Sequence, residues 1–172
     1  HRVIPDRIEA GSFAIAAAIT KSSLELCNCE PKHLESLSKK LINAGVNWES
    51  NKDIIKINSD GILKPVNVQT AEYPNFPTDL QAQFMTLMTV ANGNSEIIEN
   101  IFENRFMHVP ELLRMGANIS VNGGVAKVSG VQNLKGAQIM ATDLRASISL
   151  IIAALRAEGE SYISRIYHLD RG

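Results

Sequence analysis

Three stretches of the chain open in the same way: Ile4-Pro5-Asp6-Arg7, Pro77-Thr78-Asp79-Leu80 and Ala141-Thr142-Asp143-Leu144. Each aspartate is followed by a run of small and apolar residues: Ala10 to Ile19, Ala82 to Ala91 and Ala146 to Leu155. Aspartate suits a helix start because its carboxylate accepts from the orphan N–H groups of the first turn. A helix without a polar face must be buried on most sides. The sequence therefore predicts three central helices that pack on one another, with Gly11, Ala14, Ala17, Ala146 and Ala153 allowing close approach.

The segments after the first two helices also repeat each other. Leu24 to Cys27 and Glu96 to Asn100 read as strands, and His33 to Ala44 and His108 to Ala117 as second helices. In the former, Leu34, Leu37 and Leu41 share one face, so this pair is amphipathic and lies at the surface. Gly45 and Gly116 stand where a helix-terminating glycine belongs. Strands come next at Val46 to Trp48 and Asn118 to Val121, then at Ile54 to Ile57 and Val125 to Val128, with Gly123-Gly124 as a hairpin turn. A last strand, Val66 to Thr70 or Gln138 to Ala141, leads to the next aspartate. A third unit ends after its helix and one strand, Tyr162 to Tyr167. The expected fold class is α/β: buried central helices with mixed sheets outside, organised as repeats of about 4–72, 73–140 and an incomplete 141–172 within a single lobe. A conventional α+β sandwich is the alternative.

A chain of 172 residues with a formal net charge of −1 has no bulk attraction for nucleic acid or an anionic membrane. Its apolar runs are shorter than the roughly 20 residues that span a bilayer. Nothing has the pattern of a signal peptide, and a start at His1 reads as a cut. Cys27 and Cys29 make a poor mutual disulfide and complete no zinc pattern. They read as reduced cysteines on one face of a strand, packed in or near the core, which suits a cytoplasmic location.

Four longer runs are more specific: Tyr73-Pro-Asn-Phe-Pro-Thr-Asp-Leu-Gln-Ala-Gln-Phe84, Phe102-Glu-Asn-Arg-Phe-Met-His-Val-Pro-Glu-Leu-Leu-Arg-Met-Gly-Ala117, Ala141-Thr-Asp-Leu-Arg-Ala-Ser147 and Tyr167-His-Leu-Asp-Arg-Gly172. In this order they resemble the enolpyruvyl transferases that act on UDP-N-acetylglucosamine, over essentially the whole chain. The resemblance implies an inside-out α/β barrel lobe of three repeats. It implies a bacterial cytoplasmic transferase of peptidoglycan synthesis, and so of cell-wall biogenesis, cell shape and division. The enolpyruvyl group of phosphoenolpyruvate passes to the 3-hydroxyl of UDP-N-acetylglucosamine, and no cofactor or metal is called for. The family's loop cysteine and its Lys-Asn pair are absent. The resemblance thus implies a C-terminal catalytic lobe with half of an active site, inactive without an N-terminal lobe. Alternatives are a transferase of the same fold acting on 3-phosphoshikimate, or a non-catalytic sugar-nucleotide-binding module.

The reaction needs a proton acceptor beside a hydroxyl and cations around a phosphate and a carboxylate. By resemblance Asp79 is the acceptor; read from the residues alone it is a plain helix cap, and the two roles compete. Arg105, Arg145 and Arg171 are implied on the phosphoenolpyruvate side, where forked guanidinium donors suit such anions; the plain reading of each is a solvated surface charge. Arg145 lies in a first helical turn, where its charge opposes the helix dipole unless an anion compensates. Ile101, through its backbone, Thr78 and Arg7 are implied on the UDP-sugar side. His108 and His168 read as structural hydrogen-bonding residues. The Gly123-Gly124 pair lacks the lysine and spacing of a phosphate loop.

Overall fold

The structure is a computed structural model describing His1 and residues 3–171, with side chains up to Leu169 apart from Arg2. Helix α1 (Arg7–Ile19) leads into β1 (Ser23–Leu26), a 3-10 turn at Pro31–Leu34, α2 (Glu35–Asn43), β2 (Asn47–Asn51), β3 (Ile54–Asn58) and β4 (Val68–Gln69). A second 3-10 turn, Thr78–Leu80, precedes α3 (Gln81–Met88), β5 (Asn94–Ile98), α4 (Val109–Arg114), β6 (Asn118–Asn122), β7 (Val125–Ser129) and β8 (Gln138–Met140). Then come α5 (Leu144–Arg156), β9 (Tyr162–Ser164) and a last 3-10 turn, Ile166–Arg171.

The three apolar helices pack on one another as their composition requires. All eight residues of α3 are buried. On α1 the buried set includes Ala14, Ile15, Ala18 and Ile19, and on α5 Ala146, Leu150, Ile152 and Ala153. Fully burying a Leu, Ile, Met or Phe contributes roughly 1.5–3 kcal/mol, so Ile15, Phe84, Met85, Leu87 and Leu150 anchor this centre. Gly11 brings α1 close to the Thr78–Leu80 turn and to α2: a Cβ there would stand 2.6 Å from Leu80 Cδ1 and 3.1 Å from Leu37 Cδ2. Helix α5 is less enclosed than the other two, and Leu155 near its end is 62% exposed.

The sheets lie outside this centre. β3 is flanked antiparallel by β1 and β2. The second sheet runs β4-β5-β7-β6, with β4 and β5 parallel and the rest antiparallel. β8 and β9 form a parallel pair. Parallel neighbours need a crossover, and here α3 joins β4 to β5 while α5 joins β8 to β9. The described sheets remain three separate ones and do not close into a barrel.

Local departures from the sequence reading have physical causes. Asp6 and Asp143 are helix caps, each carboxylate accepting two backbone N–H groups. Asp79 is not. Its segment enters through the 3-10 turn, whose cap position is Pro77, so the aspartate sits within the turn and no side chain caps it. Strand β1 stops at Leu26, and Asn28 adopts φ +57°. Cys27 is consequently exposed and only Cys29 is buried, both as free thiols; the expectation that both pack in or near the core holds for Cys29 alone. Burial raises the Cys29 thiol above its usual range, and the neighbouring Cys27 and Asp53 push the same way. Arg165 (φ +58°) ends β9, so the expected strand to Tyr167 gives way to the final 3-10 turn.

Candidate active site

The N-terminal ends of the three central helices converge on one cavity of ≈ 400 Å³, lined by Asp6, Ser12, Asp79, Gln83, Arg145 and Ile148 among others. Convergence is a result of packing, because α1, α3 and α5 share a core and present their first turns together. Asp79 is one of the residues in its wall. Freed from capping, its carboxylate Oδ1 accepts from Arg145 Nε. Arg105 Nη1 lies 3.7 Å from the same oxygen. The Asp79 side chain is 32% exposed, so the cluster faces solvent without being fully solvated. Arg145 stands in the first turn of α5, where a positive charge is disfavoured by the helix dipole; the Asp79 carboxylate is the compensating anion.

Arg105 is held from its other side as well, since its guanidinium carbon stands 4.4 Å from the centre of the Phe102 ring. The loop carrying both residues borders a cleft of ≈ 700 Å³ closed opposite by Val121, Gly123 and Gly124. Gly123 has φ +57° in the β6–β7 hairpin. At Gly124 a Cβ would press within 2.9 Å of the Glu99 carbonyl oxygen, so this wall is built from backbone.

Glu99 organises the head of that loop. Its Oε1 accepts from Thr70 Oγ1 (2.9 Å), Ile101 N (2.9 Å) and Phe102 N (3.2 Å). Its Oε2 accepts from Thr78 Oγ1 (2.8 Å). Glu99 is 7% exposed. Sequence reading passed over this residue, although a signal was present. Side chains alternate across a strand, and continuing the alternation of β5 puts Glu99 on the inward side with buried Ser95 and Ile97. A carboxylate in that register needs donors.

The expected residues thus divide. Asp79, Arg105 and Arg145 come together. Thr78 and Ile101 are joined through Glu99, and Ile101 lines the 700 Å³ cleft at 36% exposure. Arg7 instead stacks over Tyr73, 4.7 Å from the ring centre, with no ion pair to Asp79 among the described residues. Arg171 closes the last 3-10 turn, and its side chain lies outside the described residues. His108, expected to be hydrogen-bonded, is 1% exposed and its Nε2 has no partner. Burial pushes its pKa down from 6.5 to about 4, with the Asp143 charge pulling weakly the other way. No cluster of metal-binding side chains occurs among the described residues.

Comparison with known proteins places this arrangement in context. The family profile described as EPSP synthase (3-phosphoshikimate 1-carboxyvinyltransferase) matches residues 1–172. The chain is 56% identical over 172 residues to a UDP-N-acetylglucosamine 1-carboxyvinyltransferase of Koribacter versatilis (strain Ellin345). It is 57% identical over 173 residues to a protein of the same name from Caulobacter vibrioides. Each alignment takes in 100% of this chain and 40% of the relative, so the chain spans about 40% of the length of the curated relatives it matches. Among solved structures, the enolpyruvyl transferase NikO from Streptomyces tendae superposes with a TM-score of 0.88 at 28% identity, over 99% of this chain and 41% of that one. EPSP synthase from Acinetobacter baumannii shares the fold at a TM-score of 0.71 and 18% identity, over 95% of this chain and 39% of that one.

Proposed function

The chain belongs to the EPSP synthase (3-phosphoshikimate 1-carboxyvinyltransferase) family, and from that premise we propose that it is the catalytic lobe of an enzyme transferring the enolpyruvyl group of phosphoenolpyruvate to the 3-hydroxyl of UDP-N-acetylglucosamine. The proposal includes a single lobe with repeats of about 4–72, 73–140 and 141–172, a companion lobe across the cleft, and a bacterial cytoplasmic setting. Among the described residues no helix is long and apolar enough to cross a membrane. The choice of UDP-N-acetylglucosamine as acceptor is supported by the names of relatives at 56% and 57% identity.

The observation that carries the chemistry is the state of Asp79. Of the three aspartates that open like segments, it alone caps no helix and is held by Arg145 and Arg105. In the proposed reaction the sugar hydroxyl oxygen bonds to C2 of phosphoenolpyruvate while C3 gains a proton. The resulting ketal then loses phosphate from C2 and a proton from the C3 methyl group. A carboxylate is a weak base for an alcohol, so Asp79 orients the hydroxyl and takes its proton late, as the oxygen acquires positive charge. Arg105, Arg145 and Arg171 hold the phosphate and carboxylate of phosphoenolpyruvate. Incoming anions compete for the guanidinium donors and release the Asp79 carboxylate for the hydroxyl. Thr78, the Ile101 backbone and Arg7 take the UDP-sugar side.

The test is phosphate release by the full-length protein containing this chain. The assay pairs phosphoenolpyruvate with either UDP-N-acetylglucosamine or shikimate 3-phosphate. Release with the nucleotide sugar alone is expected. Release only with shikimate 3-phosphate would move the chain to the other branch, and release with neither would leave the non-catalytic reading.

A further inference from the structure

The contacts around Asp79 form a closed ring. The Asp79 carboxylate meets Arg105 at 3.7 Å. Arg105 lies over the Phe102 ring at 4.4 Å. The Phe102 N–H donates to Glu99 at 3.2 Å, and Glu99 accepts in turn from Thr78 at 2.8 Å. Thr78 is the chain neighbour of Asp79. Two segments with no backbone pairing between them, the Thr78–Leu80 turn and the loop after β5, are thereby joined at two points. One joint is the Asp79–Arg105 pair itself. The other is Glu99.

We infer that Glu99 is a positioning residue, which sets the separation of Asp79 and Arg105 by clamping Thr78 to the backbone of Ile101 and Phe102. The inference rests on the proposed enolpyruvyl transfer for its kinetic readout. Three features favour this role over simple satisfaction of a strand end. Both carboxylate oxygens are used, and they reach in different directions, Oε2 to the turn and Oε1 to the loop. Thr70 at the end of β4 adds a third segment, donating to Glu99 and accepting from Asn100 N at 3.0 Å. The Glu99 backbone is itself pinned, its N–H donating to Gly124 O at 2.8 Å. The carboxylate is therefore a fixed reference against which both joints are measured. When the anionic substrate draws Arg105 off Asp79, the Glu99 joint is the one that remains.

The chemistry of the donors allows a sharp test. Hydroxyls can donate or accept, whereas backbone N–H groups only donate. In Glu99→Gln the amide oxygen can still face Ile101 N and Phe102 N. The new NH₂ can face Thr78, whose hydroxyl rotates to accept. Glu99→Ala removes every link. In the full-length protein, Glu99→Ala should lower kcat by roughly 10- to 100-fold, the scale for displaced catalytic groups, with KM values moving much less. Glu99→Gln should restore most of the rate. Wild-type kcat in Glu99→Ala overturns the inference. So does a Glu99→Gln enzyme as slow as Glu99→Ala, because the charge rather than the clamp would then matter. If Glu99→Ala does not fold, Thr78→Val and Thr78→Ser replace it, compared as kcat at saturating UDP-N-acetylglucosamine so that a sugar contact of Thr78 drops out: Val cuts the clamp and Ser keeps it, so equal kcat values in the two overturn the idea. If the wild-type protein itself releases no phosphate, the proposed function has failed, and the clamp is judged from crystal structures instead. The Asp79–Arg105 separation should lengthen in Thr78→Val and persist in Thr78→Ser; an unchanged separation in Val overturns it.

Discussion

Arg105 reaches to 3.7 Å from Asp79 while lying 4.4 Å over the ring of Phe102, so the guanidinium is held by a carboxylate and an aromatic face together. The arrangement uses the flat, delocalised charge that distinguishes arginine from lysine. It leaves forked N–H donors for an incoming anion.

For the proposed enolpyruvyl transfer, Asp79→Asn in the full-length protein isolates the role of the carboxylate. Turnover should fall about 10²-fold or more, the usual scale of general acid–base help. Stability should change by only about 0–1 kcal/mol, because Asp79 caps no helix and partly exposed ion pairs are worth little. Phosphate release and thermal melting on one preparation decide the matter. Near-normal turnover in a folded mutant would remove the catalytic assignment.

Arg145→Lys and Arg105→Lys keep charge but lose the fork. Hydrogen bonds to charged groups are worth about 1.5–3 kcal/mol, so the KM for phosphoenolpyruvate should rise roughly tenfold or more. The Arg105 variant should be the worse of the two, since it also forfeits its contact with Phe102. Steady-state kinetics at several phosphoenolpyruvate concentrations would reveal an unchanged KM, and with it a purely structural role.

His108 should make stability depend on pH. Its folded pKa of about 4 lies below the unfolded value of 6.5, so between these values the unfolded chain binds more protons. The contribution is intact above about pH 6.5 and is lost as the pH falls towards 4, on the order of 3 kcal/mol in total. Urea midpoints near pH 7 and near pH 4.5 should therefore separate more in the wild type than in His108→Gln. Equal separation in both would show that other groups govern the acid limb.

Two glycines should respond differently to alanine. At Gly130 a Cβ would fall 1.7 Å from the Ala91 carbonyl oxygen, and both partners are backbone, so Gly130→Ala should cost about 1–3 kcal/mol or more. Gly116 has open space around it but a φ of +86°. Gly116→Ala should cost roughly 1–2 kcal/mol from backbone strain alone. Denaturant unfolding of the two variants checks the order.

Much of this architecture was legible in local chemistry. Asp6 and Asp143 cap as their side chains suggest. Gly45 (φ +98°) and Gly116 end helices in the left-handed region, and the β6–β7 strands meet at Gly123-Gly124. Local sequence could not decide which of three similarly placed aspartates would be released from capping. That depends on guanidiniums arriving from the loop after β5 and from α5, far away in the chain. Cys27 misled because β1 ends one residue earlier than its apolar run. The stacking of Arg7 over Tyr73 was not legible either, because an arginine near a motif has several partners within reach. Glu99 went unread because buried acids are rare enough to be taken for surface charge, although strand alternation pointed it inward.

The contact of Gly11 with Leu80 extends the influence of the site beyond its rim. Leu80 directly follows Asp79, and any side chain at position 11 must displace it or be displaced. A laboratory evolution experiment confined to cleft-facing positions would therefore leave out an adjustment screw set from behind. Graded replacements on the hidden face of α1 could reorient the Asp79 turn by tenths of an ångström without altering a group that touches substrate. For anyone retuning the acceptor of the proposed transfer, α1 offers a coarse-to-fine handle where direct substitution offers only presence or loss.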